Sequence, residues 1–378
     1  MVGNRQKRIR SDTCCHAQPL PNPIWGQRDL TRAVRRGLFQ LGAVCVVVAA
    51  LVLTGPGLSI LRRQVTHASI AWLVAGVGLE MLSALSYVVI FRAVFDPRMN
   101  WRFSYQIGMA EQGANSVLSV SGAGGLALGA WALRRAGMSA DRIGRKSVAF
   151  FFLTSLANVA GVIAFAALYA VGVLGHVPNA PLVYGFGAAA LLATLFVLAL
   201  PRMFEGKPAE PPAPANAGRL RAGLWFARCS LREGVRDGVL LLRQRSPGAL
   251  IGSVGTMAFD LAVLGVCFRA FGDSPTVGVL VLGYLIGQLG GNLPTPGGIG
   301  GVDLGLIGTF TLFHQPLAVT TAAVLLYHAI ALWVPGLIGS IAFVQLRGTL
   351  QREQRPAVIC KPMAKPIEPA RLPATSAV

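Results

Sequence analysis

Apolar runs of bilayer length constrain this chain more than any motif does. Six of them, Leu38–Gly55, Ser69–Phe95, Ser147–Leu174, Pro181–Leu200, Gly248–Phe271 and Leu317–Leu346, are near or above the roughly 20 residues a helix needs to cross the hydrocarbon. Composition points the same way: 53% of the chain is hydrophobic and 13% charged, whereas about 25% of an average soluble domain is charged. The mean hydropathy is +0.58. The fold class that follows is an all-α polytopic membrane protein.

Two further stretches, Phe103–Leu133 and Thr276–Phe313, are apolar but interrupted by glycine, serine and asparagine. Charge placement decides how they sit. A net charge of +19 would suggest nucleic acid in a soluble protein. Here the basic residues gather in alternate loops. With a cytoplasmic N-terminus, and with both interrupted stretches entering and leaving on one side, segments 1–37, 92–102, 134–146, 201–247 and 347–378 lie inside. They hold 31 of the 34 Lys and Arg, leaving Arg62, Arg63 and Arg269. That is a strong positive-inside pattern, which places both termini in the cytoplasm and the chain in the cell membrane, with no nucleic-acid partner. Two full crossings plus a turn need more than about 40 residues, and the interrupted stretches offer 31 and 38. The expected architecture is therefore six crossing helices and two re-entrant hairpins, the first entering from the cytoplasm and the second from outside.

The second hairpin contains Gly291-Asn292-Leu293-Pro294-Thr295-Pro296-Gly297-Gly298-Ile299-Gly300-Gly301-Val302-Asp303, a helix-breaking segment with a polar tip. Broken backbone at membrane depth survives only where protein or a water-lined cavity satisfies its freed N–H and C=O groups, so the segment marks a site. Aligning Ser121–Ala130 with Gly297–Leu306 gives five identities in ten positions, four of them glycine. Asn115 precedes the first break as Asn292 precedes the second. Similar broken segments entering from opposite faces are the pattern of an inverted-repeat transporter, with its site where the tips meet near the midplane.

The pattern Asn292-x-Pro294-x-Pro296-Gly297-Gly298-x-Gly300 with an acidic residue at 303 resembles the second signature of a flippase-like membrane domain, the transmembrane region of lysylphosphatidylglycerol synthase. The run from Asn115 through Gly122–Gly129, with Arg134 and the Ser147–Asn158 helix start, is similar to the first signature. The resemblance spans roughly residues 38–346. Two positions depart from the family pattern: Asp303 stands where Glu is usual, and Ser119 and Ser121 stand where a proline is frequent. The resemblance implies movement of an anionic phospholipid or polyprenyl-linked lipid between leaflets. The family's full-length synthases carry a soluble aminoacyl-transferase domain after the membrane part, where this chain has only the Pro-, Lys- and Arg-rich 347–378. It is therefore expected not to be a synthase, and no cofactor or metal is implied.

Acidic or basic groups inside membrane helices are expensive and are functional candidates by default. Glu80, Asp260 and His328 lie within crossing runs, and Glu111 and Asp303 within the hairpins. For Glu80 and Asp260, a relay and a structural bond between helices are equally open. For His328, a satisfied core histidine stands beside a proton relay. Glu111 reads first as a solvated interfacial carboxylate near its hairpin's cytoplasmic start. Asp303 falls in the first turn after Gly300-Gly301, where a carboxylate gains about 0.3–1 kcal/mol from the helix dipole. The sharper reading has that half-helix start meeting a lipid phosphate while Asp303 contacts a headgroup or takes a proton. The substrate-binding set is then Asn115, Ser119, Ser121, Gly124, Gly125, Asn292, Thr295, Pro296, Gly298, Gly300, Gly301 and Asp303, with Ser116 as a further tip hydroxyl.

Within 201–247, a Pro/Ala linker over Lys207–Gly218 leads to a basic amphipathic helix over Arg219–Arg245, expected to rest on the anionic inner leaflet. The tail 347–378 reads as extended and disordered. Three other functional classes compete with lipid movement: an ion-coupled carrier of a small solute, a membrane-embedded lipid-modifying transferase and a scaffold subunit. For the transferase, no Walker-type loop and no Ser/His/Asp or Cys/His set is found in plausible register.

The charge split makes a direct prediction. In a Cys-free background, single cysteines at His176 or Asn179 should react with an impermeant thiol reagent added outside, and cysteines at Ala140 or Ala213 should not. Outside labelling at Ala140 would mean that the first hairpin crosses the membrane.

Overall fold

The computed structural model describes residues 70–117, 123–203, 219–292 and 300–352, which form helices joined by short turns. In chain order the α-helices are α1 Ile70–Phe95, α2 Trp101–Val117, α3 Ala123–Arg135, α4 Ala140–Ala170, α5 Ala180–Met203, α6 Arg219–Arg243, α7 Pro247–Ala270, α8 Val277–Gly287, α9 Gly301–Leu312 and α10 Leu317–Arg352. A 3-10 turn, Gln288–Asn292, follows α8 directly. Five helices, α1, α4, α5, α7 and α10, are long and apolar enough to cross a membrane. The sixth expected crossing, Leu38–Gly55, lies outside the described residues, as do the terminal tails 1–37 and 353–378 and the linker over 207–218.

Local chemistry explains where the helices begin and end. Ser139 caps α4, its hydroxyl accepting from the Arg142 N–H, and Asp141 occupies the first turn. As a result α4 starts seven residues earlier than its apolar run, and Arg142, Arg145 and Lys146 lie on helix instead of in a loop. Pro247 opens α7 at a position where its missing N–H costs nothing. Pro335 lies inside α10, where it removes a backbone hydrogen bond.

The interrupted stretches form two helix–break–helix pairs, α2/α3 and α8/α9, and the helices of each pair pack on one another. None of the four exceeds 17 residues, which at about 1.5 Å per residue falls short of the hydrocarbon thickness. Each pair anchors one of the two large cores. Around α2/α3, Phe91, Phe103, Ile107, Leu128, Leu133 and Phe150 are buried together. Around α8/α9, the second core gathers Val263, Leu264, Phe268, Leu282, Phe310 and Tyr327.

Glycine contacts hold these layers together. Helices α1 and α7 run antiparallel, with Gly248 against Ala93, Gly252 against Ile90 and Gly255 against Ser86, while the Ser83 hydroxyl donates to the Thr256 carbonyl at 3.2 Å. Gly113 of α2 meets Gly339 of α10 so closely that a Cβ on Gly113 would fall 2.7 Å from the Gly339 Cα. Small residues of this kind let membrane helices bring their backbones together. The outward surface is apolar: Leu192, Phe196, Ile251, Leu304, Ile341 and Val344 are all more than half exposed, as lipid contact requires.

The amphipathic helix α6 differs from expectation in two ways. It ends at Arg243, with Arg245 in the left-handed region at φ 48°. It also docks on α4 instead of lying on lipid alone: Gly234 packs against Val148 and Gly238 against Phe152. Lys146 pairs with Asp237 at 3.1 Å, and Arg145 with Glu233 at 4.0 Å. Leu231 of the expected apolar stripe is 51% exposed, so the docked face is rotated toward the small residues.

The glycine contacts predict opposite outcomes for two alanine substitutions. Gly339→Ala should destabilise by about 1–3 kcal/mol, because its Cβ would strike the Met109 carbonyl and the Gly113 backbone. Gly78→Ala has open space and should be neutral or stabilising by up to about 1 kcal/mol. Thermal unfolding of the two variants in detergent checks the difference.

Candidate functional site

The buried residues expected at the site fall into two groups, one beside each helix–break–helix pair. On α2/α3, the Gly125 N–H donates to the Asn115 Oδ1 at 2.8 Å, so Asn115 ties the start of α3 back to α2 across the break. Gly124 is buried beside it. Glu111, one turn before Asn115, is 5% exposed and accepts the Tyr87 hydroxyl at 2.9 Å. It lies against Gly129, where any Cβ would collide with its carboxylate. The solvated interfacial role expected for Glu111 is therefore overturned: α1 and α3 close over it, and Tyr87 replaces water as donor. The Ser116 hydroxyl donates to the Gln112 carbonyl of its own helix. Ser119 and Ser121 lie outside the described residues.

On α8/α9, Gly300 holds a positive φ of 87° that only glycine adopts without strain, and α9 starts immediately after it. The Gly300 N–H donates to the Asp303 Oδ2 at 2.9 Å, the reach-back half of a capping box. The Asp303 carboxylate thus already occupies a donor that a lipid phosphate would need. Its other oxygen, Oδ1, lies 2.6 Å from the His328 Nδ1 of α10. That contact is an ion-pair approach without hydrogen-bond alignment, and the His328 Nε2 has no partner among the described residues. Both readings of His328, a core histidine satisfied by a neighbour and a proton relay, are compatible with this contact. Asn292 ends the 3-10 turn, and Gly301 packs against Gly290. Thr295, Pro296 and Gly298 lie outside the described residues, as does the expected meeting of the two tips.

The residue preceding His328 leads to the largest network. The Tyr327 hydroxyl donates to the Asp260 carboxylate at 3.1 Å, and Tyr284 donates to the same carboxylate from α8. Gln288 of the 3-10 turn donates its amide to the Tyr327 oxygen at 3.1 Å. Glu80, on α1, faces Asp260 closely enough for the two charges to interact. Glu80 is 5% exposed, and its Oε2 has no partner among the described residues. Glu80 and Asp260 each stand ten residues from the end of their helix on the side away from the basic loops, which at 1.5 Å per residue is about 15 Å, half the hydrocarbon thickness.

Sequence reasoning selected the acidic groups and His328 but not Tyr87, Tyr284, Tyr327 or Gln288, which organise them. The available signal was a polar side chain inside an apolar run, since every buried carboxylate at this depth needs donors. The structure brings Asp303 to His328 and Glu80 to Asp260, and adjacent Tyr327 and His328 link the two pairs. Chemically, the second group offers three carboxylates, two phenols and one imidazole: it can hold protons, and it can accept hydrogen bonds from an amine or hydroxyl.

The profile of the family described as the lysylphosphatidylglycerol synthase TM region matches residues 38–339. Among curated proteins, none matches the chain.

If Asp303 and His328 act as a pair, their effects on stability must be non-additive. A double-mutant cycle with Asp303→Asn and His328→Gln should give a coupling energy of about 1–3 kcal/mol. Additive losses would return Asp303 to a helix-start residue with no link to α10.

Proposed function

We propose that this chain, which belongs to the family of the lysylphosphatidylglycerol synthase TM region, moves a phospholipid or lipid-linked intermediate between the two leaflets of the cell membrane. The protein is multi-pass, with five described helices of crossing length. In this reading the basic loops face the cytoplasm and the helix–break–helix pairs are re-entrant hairpins of an inverted repeat.

The observation that carries the reading is the position of Asp303 at the rim of the bundle. One face of α9 is inside, with Asp303, Leu306 and Phe310 buried, and the next residue along, Leu304, is 70% exposed on the apolar surface. The pair itself is buried, with Asp303 9% exposed, but it lies one residue from the lipid-facing surface, so a displacement of α9 would open it to a headgroup whose acyl chains stay in the bilayer. A small-solute carrier gains nothing from a site next to lipid. The aligned glycines support the inverted repeat: Gly125 and Gly129 of α3 press on Asn115 and Glu111 of α2, and Gly301 and Gly305 of α9 press on Gly290 and Gly287. Two hairpins built on the same close contact are what duplicated, oppositely inserted halves would contain.

In the mechanism this supports, the broken tips supply polar groups where a headgroup passes, and Asp303 and His328 take over hydrogen bonds it loses on leaving water. The amine or hydroxyl of the headgroup is the better match, since the Gly300 N–H is already bonded.

Purified protein in liposomes with fluorescent phospholipid and a labelled polyprenyl phosphate tests the proposal, with leaflet location read by a membrane-impermeant quencher. Asp303→Asn should abolish movement while the protein stays folded, and Asp303→Glu should retain part of it. Native-rate movement by stable Asp303→Asn would shift the site toward Glu80 and Asp260. Absence of movement with every lipid tested would remove the lipid reading itself.

A further inference from the structure

The unequal surroundings of the two mid-depth carboxylates carry a further inference. Asp260 is supplied with donors from two phenols, and one of these is itself held by Gln288. Glu80 faces it with an oxygen that nothing among the described residues satisfies. The antiparallel glycine contacts of α1 and α7 hold the two backbones in this opposition. Two negative charges side by side in a low-dielectric interior cannot both persist, and donors favour the charge on the group that receives them. The phenol donors therefore favour charge on Asp260 over Glu80, the member of the pair with an unsatisfied oxygen.

We propose that Glu80 is the proton-binding residue of this protein, with Asp260 as its fixed counter-charge, and that its loading and release couple lipid movement to a proton gradient. The step is a proton transfer alone: an O–H bond forms at a Glu80 carboxylate oxygen when a proton arrives from one side, and breaks when it leaves to the other. The net charge of the pair changes by one each time. Tyr327 delivers the change, because its hydroxyl bonds to Asp260 and the next residue, His328, holds Asp303 at the start of α9. The second hairpin thus senses the state of the pair through adjacent residues on α10.

Titratable groups approach this pair from several helices. Tyr327 and His328 come from α10, Tyr284 from α8, Asp303 from α9, and Cys267 from two turns further along α7. Toward the basic side, Tyr87 of α1 and Glu111 of α2 bond to each other, and Arg142 of α4 pairs with Asp96 at the far end of α1. At the opposite end Arg269 lies over the Trp72 ring. Among the described residues, no Lys or Arg forms an ion pair with Glu80 or Asp260.

The coupling rests on the lipid-movement reading; the proton site does not. Infrared difference spectra of the full chain in lipid, recorded as the buffer is stepped from acid to alkaline in H2O and D2O, read carboxyl protonation without any transport. A titrating, deuterium-sensitive carboxyl band that disappears in Glu80→Gln is the expected result. A band unchanged in Glu80→Gln overturns the proposal. In liposomes, the ratio of lipid-movement rates under opposite pH gradients should differ from one in the native protein and fall to one in Glu80→Gln; gradient-dependent movement by that variant overturns the coupling. If Glu80→Gln does not fold, Tyr284→Phe with Tyr327→Phe strips Asp260 of donors and should displace the band's titration midpoint, and an unmoved midpoint overturns the assignment. A titrating Glu80 in protein that moves no lipid would instead defeat the lipid reading and the coupling together, while leaving the proton site in place.

Discussion

Close approach of glycine backbones is the constraint on which the rest of this structure depends. A broken helix in hydrocarbon is stable only if neighbouring protein covers it tightly enough to exclude lipid from its unpaired groups. Gly113 against Gly339 seats α2 on α10, and Gly305 against Gly287 seats α9 on α8, in each case with no room for one methyl group. These contacts carry no polarity and no charge, yet they allow each short helix to remain inside a membrane bundle. The polar groups then follow from position: Asn115 bridges one break, and Asp303 closes over the start of the half-helix after the other.

A second constraint is the cost of charge at depth. Of the four buried carboxylates Glu80, Glu111, Asp260 and Asp303, three are met by aromatic hydroxyls or an imidazole: Glu111 by Tyr87, Asp260 by Tyr284 and Tyr327, Asp303 by His328. Phenols bury a large apolar body while offering one donor, so they satisfy a carboxylate without bringing another charge into the bilayer. Glu80 alone among these four carboxylates has an oxygen left without such a donor or a facing base, and so it is the member of the set free to change its protonation.

Most of the architecture was legible in the sequence because membrane spans are written in single runs of residues. Crossing helices α1, α5, α7 and α10 begin within two residues of their apolar runs. Where reading failed, the deciding contact was remote. Glu111 read as solvated because its distance along the chain from the basic loop was visible, whereas Tyr87 and the face of Gly129 that enclose it were not. The amphipathic helix read as a lipid-surface helix because its leucines form a stripe; its docking depends on Gly234 and Gly238 fitting the ridges of Val148 and Phe152, a match between two segments more than 80 positions apart. Side chains that organise a site by hydrogen bonding, Tyr284 and Tyr327 above all, look in sequence like ordinary members of an apolar run.

The arrangement of α10 shows how these separate constraints meet. Near its start Tyr327 and His328 touch the Asp260 and Asp303 clusters, and further along Pro335 and Gly339 receive the backbone of α2. One helix therefore contacts both broken pairs, the polar network through its first half and the glycine seat through its second, with Pro335 between them. A proline at that point leaves the helix a hydrogen bond short where the two halves join, and because its own carbonyl lies against Gly113, a bend there would move the seat of α2 with it.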